Sequence, residues 1–284
     1  MITSITFSKN RPLQLDLTIK SIKQNFPDCN EIIVLHNNDA EFSDAHKTLC
    51  DEHCDISSWQ QGYSLFKDMH NAITVAENNF ICLFTDDDIF YRPFKCENYE
   101  FLDRDDISCL SLRMGQNITE RQHDGVTGQD LCRSIFLAEN DMIAWSKTMH
   151  CYGSYWSYDL SVDGHIFRKA DIAEMMDELQ LLQSRYNWGD TPNVLESQLQ
   201  RFWPLRGNYM MSPKHSVVVN SPNNRVQDSH KNRSGDVFSY DSKYLLDKYV
   251  SGNRINLKEC SFENIRCPHT EIDLIKGMRQ CYTN

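Results

Sequence analysis

The sequence predicts an α/β fold, with a mainly parallel central sheet and helices on both faces. Three observations predict it. Over about the first ninety residues, apolar runs of strand length alternate with amphipathic stretches of helical spacing, the pattern of units that build parallel sheets. One run, Phe80-Ile-Cys-Leu-Phe84, is continuously apolar and reads as a strand buried on both faces. Through Thr85 it leads straight into Asp86-Asp87-Asp88, at the strand end where open α/β sheets bind ligands.

Taken in order, Ile2 to Phe7 reads as the first strand. Asn10 is a candidate helix cap, and Pro12 suits a first helical turn. Leu15, Ile19, Ile22 and Phe26 then recur at helical spacing up to Pro27. Glu31 to His36 is a second buried strand, closed by a turn at Asn37–Asp39. Phe42, Ala45 and Leu49 mark a short helix, and Cys54 to Ser57 a short strand. After Gly62, the residues Leu65, Phe66, Met69, Ala72, Ile73 and Ala76 form one apolar helical face.

Beyond Pro93 the pattern changes. Strands are expected at Ile107–Leu112, Met142–Trp145 and Ser216–Val219, and a loop around Gly125 to Gly128. Leu160 to Phe167 reads as a bent strand or hairpin around Asp163-Gly164. Ile172, Met175, Met176, Leu179 and Leu182 define an amphipathic helix. Thr191 can cap another that has Pro192 at its first position. A last helix is expected over Tyr240–Tyr249, before a tail without periodicity.

A chain of 284 residues suits one large α/β domain with a small appendage, here residues 1–235 and a helical or irregular extension, 236–284, packed on it. The net charge of −11 argues against nucleic acid as a partner, since that needs a basic footprint. Eleven cysteines are scattered with no zinc signature, and Cys82 and Cys109 lie in apolar runs as small core residues. Cys50, His53 and Cys54 come nearest to a ligand cluster. With no leader-like start and no stretch long enough for a bilayer, the cytoplasm is the expected location and no transmembrane segment is expected.

The three aspartates repel one another, which is tolerated if they are solvated, protonated or bound to a cation. Hard oxygen ligands suit Mn2+ or Mg2+, usually shared with substrate phosphates; the plainer reading is a solvated acidic turn. Two known phosphate devices are missing: no Gly-x-Gly-x-x-Gly follows the first strand, and no Gly-x-x-x-x-Gly-Lys occurs.

The ordered set of Thr6-Phe-Ser-Lys-Asn-Arg-Pro12, Asn71 in the helix before the aspartates, and Phe84-Thr-Asp-Asp-Asp88 resembles the GT-A-fold, nucleotide-sugar-dependent glycosyltransferases. Ser161-Val-Asp-Gly-His-Ile-Phe-Arg168 and Pro192-Asn-Val-Leu-Glu196 extend the resemblance, which covers roughly residues 1–227. It implies a metal-dependent transfer of a hexosyl or related group from a nucleoside-diphosphate sugar, with a UDP-sugar as the expected donor, to a glycan or other hydroxyl acceptor. It also implies that Ser8, Asn10, Arg11, Asn37, Asp39, Asn71 and Asp87 serve the nucleotide. Asp86 and Asp88 would hold Mn2+ or Mg2+ on the diphosphate. Many inverting relatives carry a Glu-Asp pair on the acceptor side, whereas Glu196 here stands alone, with Asp190 nearby.

The residues themselves leave alternatives open. Glu196 can act as general base, or simply place a favourable charge near a helix start. Asp163, in the glycine turn, is the rival base, and Asp190 the third. Arg11 can steer a phosphate or be a solvated first-turn arginine. Arg225, in the polar loop Asn223-Asn-Arg-Val-Gln227, can close over the diphosphate or lie on the surface. Tyr152, Tyr155, Trp156 and Tyr158 can form a sugar platform or pack in the core. His165 and His215 read as structural. The competing functions are a sugar nucleotidyltransferase, which would want a glycine-rich loop after the first strand, and a non-catalytic sugar-binding module on the same fold.

Overall fold

Strand β1 (Ile2–Ser8) is buried along its whole length and forms the centre of the parallel region. It is followed by α1 (Pro12–Asn25), β2 (Cys29–His36), α2 (Ser43–Glu52), β3 (Ser57–Gln60), α3 (Leu65–Val75) and β4 (Phe80–Thr85). The computed structural model describes all residues except 63, 97–98, 122–135, 138–140, 148–153, 187–190, 203–206, 228–232 and 281–284. The loop expected at 125–128, Tyr152 and Asp190 lie outside the described residues.

The second half adds β5 (Asp88–Phe90), β6 (Ile107–Ser111), β7 (Phe136–Leu137), β8 (Met142–Ser146), β9 (His165–Arg168), α4 (Lys169–Tyr186), α5 (Pro192–Phe202), β10 (Tyr209–Pro213) and β11 (Val218–Asn220). The chain continues with α6 (Ser242–Val250), β12 (Asn253–Ile255) and β13 (Met278–Gln280). Among the described residues one nine-stranded sheet has the order β3-β2-β1-β4-β9-β6-β10-β8-β7. The first four strands are mutually parallel. Strand β9 opposes both β4 and β6, so β6 regains the direction of β4, and β10 runs parallel to β6. Strand β8 opposes β10, and β7 opposes β8. The sheet is therefore mainly parallel in direction, with β8 and β9 reversed, as the α/β reading expects.

Two groups of helices flank the sheet: α1 with α2 and α6, and α3 with α4, which also carries α5. The core follows the expected faces. Ile81 to Phe84 are essentially inaccessible, as are Leu15, Ile19 and Ile22 from α1 with Phe26 just after it, and Leu65, Phe66, Met69, Ala72 and Ile73 from α3. Burying each of these larger apolar side chains contributes about 1.5–3 kcal/mol.

Local chemistry sets the helix starts. Ser64 caps α3 by accepting from Lys67 N–H, and Thr191 Oγ1 accepts from Val194 N–H at the start of α5. Asp241 caps α6 through Lys243 and Tyr244 N–H. Asn10 departs from expectation. The residue before α1 is Arg11, which makes no side-chain cap, while Asn10 takes φ +56° and spends its amide on the β2 loop. Its Nδ2 donates to Asp39 Oδ2 at 2.6 Å, and its Oδ1 accepts Asp39 N–H at 2.8 Å. Strand β3 also begins at Ser57 rather than Cys54, since its register opposite Ile33 to His36 starts there.

The C-terminal segment is stitched to the rest. Both α6 and β12 pack on α1, and Arg254 lies over the Tyr249 ring while its guanidinium bonds the Glu52 carboxylate. Asn220 N–H donates to Pro268 O, and Ile272 N–H to Ser221 Oγ. These bonds bring the stretch around His269 to the ends of the central strands. Cys29, Cys50, Cys54, Cys82, Cys109 and Cys260 are free thiols. Among the described residues no helix is long and apolar enough to cross a membrane.

Candidate functional site

A cavity of about 550 Å3 opens at the carboxyl ends of β1, β2 and β4. Its walls include Phe7, Ser8, Lys9 and Arg11, Leu35 and Asn37, Thr85 to Asp87, Arg113, Tyr155, Tyr158 and Asp163, the start of α5, Asn220 and Asn224 to Gln227, and His269. Two clusters of carboxylates face it.

The first cluster is the acidic run after β4. Asp86 Oδ2 accepts from Ser8 Oγ at 2.9 Å and from Lys9 N–H at 3.0 Å, while its Oδ1 accepts from Arg11 Nη1 at 2.9 Å. The same Nη1 donates to Asp87 Oδ2 at 2.8 Å. Arg11 Nε donates to Asn224 Oδ1 at 2.7 Å and Nη2 to Asn224 O, so the guanidinium also ties down the loop that carries Arg225. Asp88 turns the other way: its Oδ2 accepts Thr85 N–H at 2.7 Å and its Oδ1 accepts from Asn220 Nδ2 at 3.1 Å. Burial pushes the Asp88 carboxyl well up, with Asp163 and Asp87 adding repulsion. Burial also raises the Asp86 carboxyl, against the opposing pull of Arg11.

The second cluster adjoins the first: Thr85 Oγ1, 2.8 Å from Asp87 Oδ1, also lies 3.3 Å from Asp163 Oδ1. The turn that holds Asp163 needs Gly164, which has φ +76° and would place a Cβ 3.1 Å from Val218 Cγ1. Asp163 Oδ2 accepts from Arg113 Nη1 at 2.8 Å. The Arg113 guanidinium lies 5.4 Å from the Tyr155 ring centre and 5.8 Å from that of Tyr158, within cation–π range. Glu196 accepts Val162 N–H at 3.1 Å, with the Ser161 and Tyr158 hydroxyls also against it. Burial pushes the Glu196 carboxyl up to about 7; Asp163 adds to the rise and Arg113 opposes it. Burial likewise raises Asp163. His269 Nδ1 lies 3.2 Å from Asn220 Oδ1, and its Nε2 lies 3.9 Å from Asp163 Oδ2.

The candidate residues therefore divide. Ser8, Arg11, Asn37, Asp86, Asp87, Asp163, Glu196 and Arg225 line the one cavity. Asn10 and Asp39 bond each other just outside it, and Asn71 is exposed on α3 away from it. Asp88 is buried behind the wall. Trp156 is fully buried, edge-on to Trp145 at 4.9 Å, and belongs to the core. His165 is buried between Ser111 Oγ and Asp159 O, a structural histidine as expected. His53 bonds Asp16 rather than joining a cysteine cluster. Sequence reasoning missed Arg113 and His269. Arg113 carries no local signal beyond being a charge directly after an apolar strand, and His269 sits in an aperiodic tail.

The expected divalent ion does not fit Asp86 and Asp88 as they are arranged. Asp88 is buried outside the cavity lining, held by Thr85 N–H and Asn220 Nδ2, and a guanidinium already stands between Asp86 and Asp87. Among the described residues no group of three His, Cys, Asp or Glu side chains is placed to hold a metal ion.

No protein-family model matches the chain, and no curated protein sequence does. Among solved structures it is similar to Staphylococcus aureus TarS residues 1–349 in complex with UDP, at 16% identity over 78% of this chain and 61% of that one, with a TM-score of 0.48. A second structure of TarS 1–349 gives 16% identity over 76% and 59%, with a TM-score of 0.46. The Pyrobaculum calidifontis mannosyltransferase PcManGT with GDP-Man and Mn2+ gives 12% identity over 42% and 35%, with a TM-score of 0.31. The chain spans about three-fifths of the length of the TarS fragment.

Proposed function

We propose that the protein is a nucleotide-sugar glycosyltransferase, with Glu196 as the general base. The observation that carries this reading is the meeting of two carboxylate clusters in one cavity at the strand ends: Asp86 and Asp87, closed by Arg11, and Asp163 with Glu196, whose carboxyl burial pushes up to about 7. A nucleoside diphosphate fits the first wall. Phe7, Leu35 and Asn37 supply apolar and amide surface for a base, and Arg225 and Arg233 supply charge for the phosphates. The acceptor fits the second wall, beside Tyr155, Tyr158 and Glu196.

In the transfer, an acceptor hydroxyl oxygen attacks the anomeric carbon of the donor sugar. The bond from that carbon to the diphosphate oxygen breaks, and the diphosphate leaves with the electron pair. Glu196 takes the hydroxyl proton as the new bond forms. A base with a pKa near the working pH combines adequate ionisation with adequate basicity. Asp163 is less suited, because one of its oxygens is tied to Arg113. Arg113 positions that pair and keeps a positive charge behind both carboxylates.

The test is calorimetry with UDP, GDP and dTDP, followed by assay of donor hydrolysis for the nucleotide that binds. Binding of one nucleoside diphosphate, with slow hydrolysis of its sugar conjugate, supports the reading. Sugar binding without binding of any nucleoside diphosphate would point to the sugar-binding module instead.

A further inference from the structure

Every carboxylate oxygen facing Arg11 already has a protein donor. Asp86 Oδ1 and Asp87 Oδ2 share Arg11 Nη1 at 2.9 and 2.8 Å. The opposite oxygen of Asp86 accepts from Ser8 Oγ and Lys9 N–H. The opposite oxygen of Asp87 accepts from Thr85 Oγ1 at 2.8 Å and Asn220 Nδ2 at 2.9 Å. Arg11 is 8% exposed and uses all three of its nitrogens, the other two on Asn224. A guanidinium cannot give up its charge in a protein, and its planar fork suits two carboxylates and a carbonyl at once. Mn2+ or Mg2+ would need near-octahedral access to carboxylate oxygens, next to a fixed positive charge that occupies the approach.

We propose that Arg11 is the resident cation of the acidic motif, so that a nucleoside diphosphate binds this cavity without a divalent ion. The inference rests on the nucleotide reading of the cavity and departs from the metal dependence that the sequence resemblance implies. Arg11 then has two tasks. It cancels the repulsion between Asp86 and Asp87, and it clamps the Asn224 backbone, which sets Arg225 on the cavity wall. Removing the guanidinium should turn the motif into what its composition suggests: two facing carboxylates with no counter-charge, which attract a divalent cation.

Calorimetry with UDP and GDP on the wild-type protein, in excess EDTA and in excess MnCl2, tests the first half. The expected dissociation constants agree within about twofold, whereas a tightening of about tenfold or more with Mn2+ overturns the proposal and leaves the nucleotide reading standing. Binding in neither condition overturns both. Thermal unfolding with Mn2+ alone tests the second half. Mn2+ should leave the wild-type midpoint in place and raise that of Arg11→Met, as a ligand bound only by the folded state must. A Mn2+-induced rise in the wild-type midpoint overturns the proposal even if Arg11→Met does not fold.

Discussion

The cavity holds two carboxylate clusters, each served by one buried arginine, and the two arginines are used differently. Arg11 engages all three of its nitrogens and closes Asp86 and Asp87 into a fixed network. Arg113 engages Asp163 through Nη1 alone; its Nε has no hydrogen-bond partner among the described residues, and its face lies over two tyrosine rings. Glu196 receives no hydrogen bond from Arg113, only its field, and its carboxyl climbs to about 7. Similar residue types thus make a closed charge-holding wall and an open one. Burial raises carboxyls on both; Arg11 and fixed donors oppose the rise at Asp86, while at Glu196 Asp163 adds to it and Arg113 opposes it.

The largest expected effect lies on the open wall. Glu196→Gln should lower turnover by about a hundredfold or more, the usual scale for losing a general base, with nucleotide affinity unchanged. Near-normal turnover there, with collapse in Asp163→Asn, would move the role to Asp163. Little effect from either would point to retention, with the leaving phosphate taking the acceptor proton.

Replacing the buried cation comes next. Arg113→Met leaves Asp163 and Glu196 without their counter-charge and should cost about 3–5 kcal/mol at pH 8, measured by urea unfolding. The cost should shrink at pH 6, because the stranded carboxyls can then protonate in the folded state. An equal loss at both pH values would reduce Arg113 to a packing role.

A smaller effect should appear in the stability of the wild type itself. Between the ordinary glutamate range near 4.5 and about 7, folded Glu196 holds a proton that the unfolded chain releases. This contribution is therefore present at low pH and lost as pH rises through about 7. Glu196→Gln should remove the slope and gain up to about 3 kcal/mol at pH 8. The smallest effect marks the edge of the site. Asn71 is exposed outside the cavity, and Asn71→Ala should shift nucleotide affinity by less than about twofold.

The elements that build both walls were legible in sequence. Strands β1, β2 and β4, the apolar face of α3 and the aspartates at the β4 end all follow from local periodicity. So do the Thr191–Pro192 helix start and the Asp163-Gly164 turn. The pairings that complete either wall leave no local pattern, and Arg11 meets Asp86 from seventy-five residues away. Arg113 meets Asp163 from fifty residues away, and His269 meets Asn220 from forty-nine. Asn10 had the composition of a cap, yet its left-handed backbone turns its amide to Asp39. The aspartate run suggested a metal pair because spacing alone does not record that Arg11 folds back between Asp86 and Asp87, or that Asp88 caps its own turn at Thr85.

The contrast between the walls is tested most directly by the protonation of Glu196 itself, followed as the carboxyl signal lost in Glu196→Gln, by 13C NMR of glutamate-labelled protein. A midpoint near pH 7, moving upward in Arg113→Met, is the predicted result. A midpoint in the ordinary glutamate range near 4.5, unmoved by Arg113→Met, would contradict it.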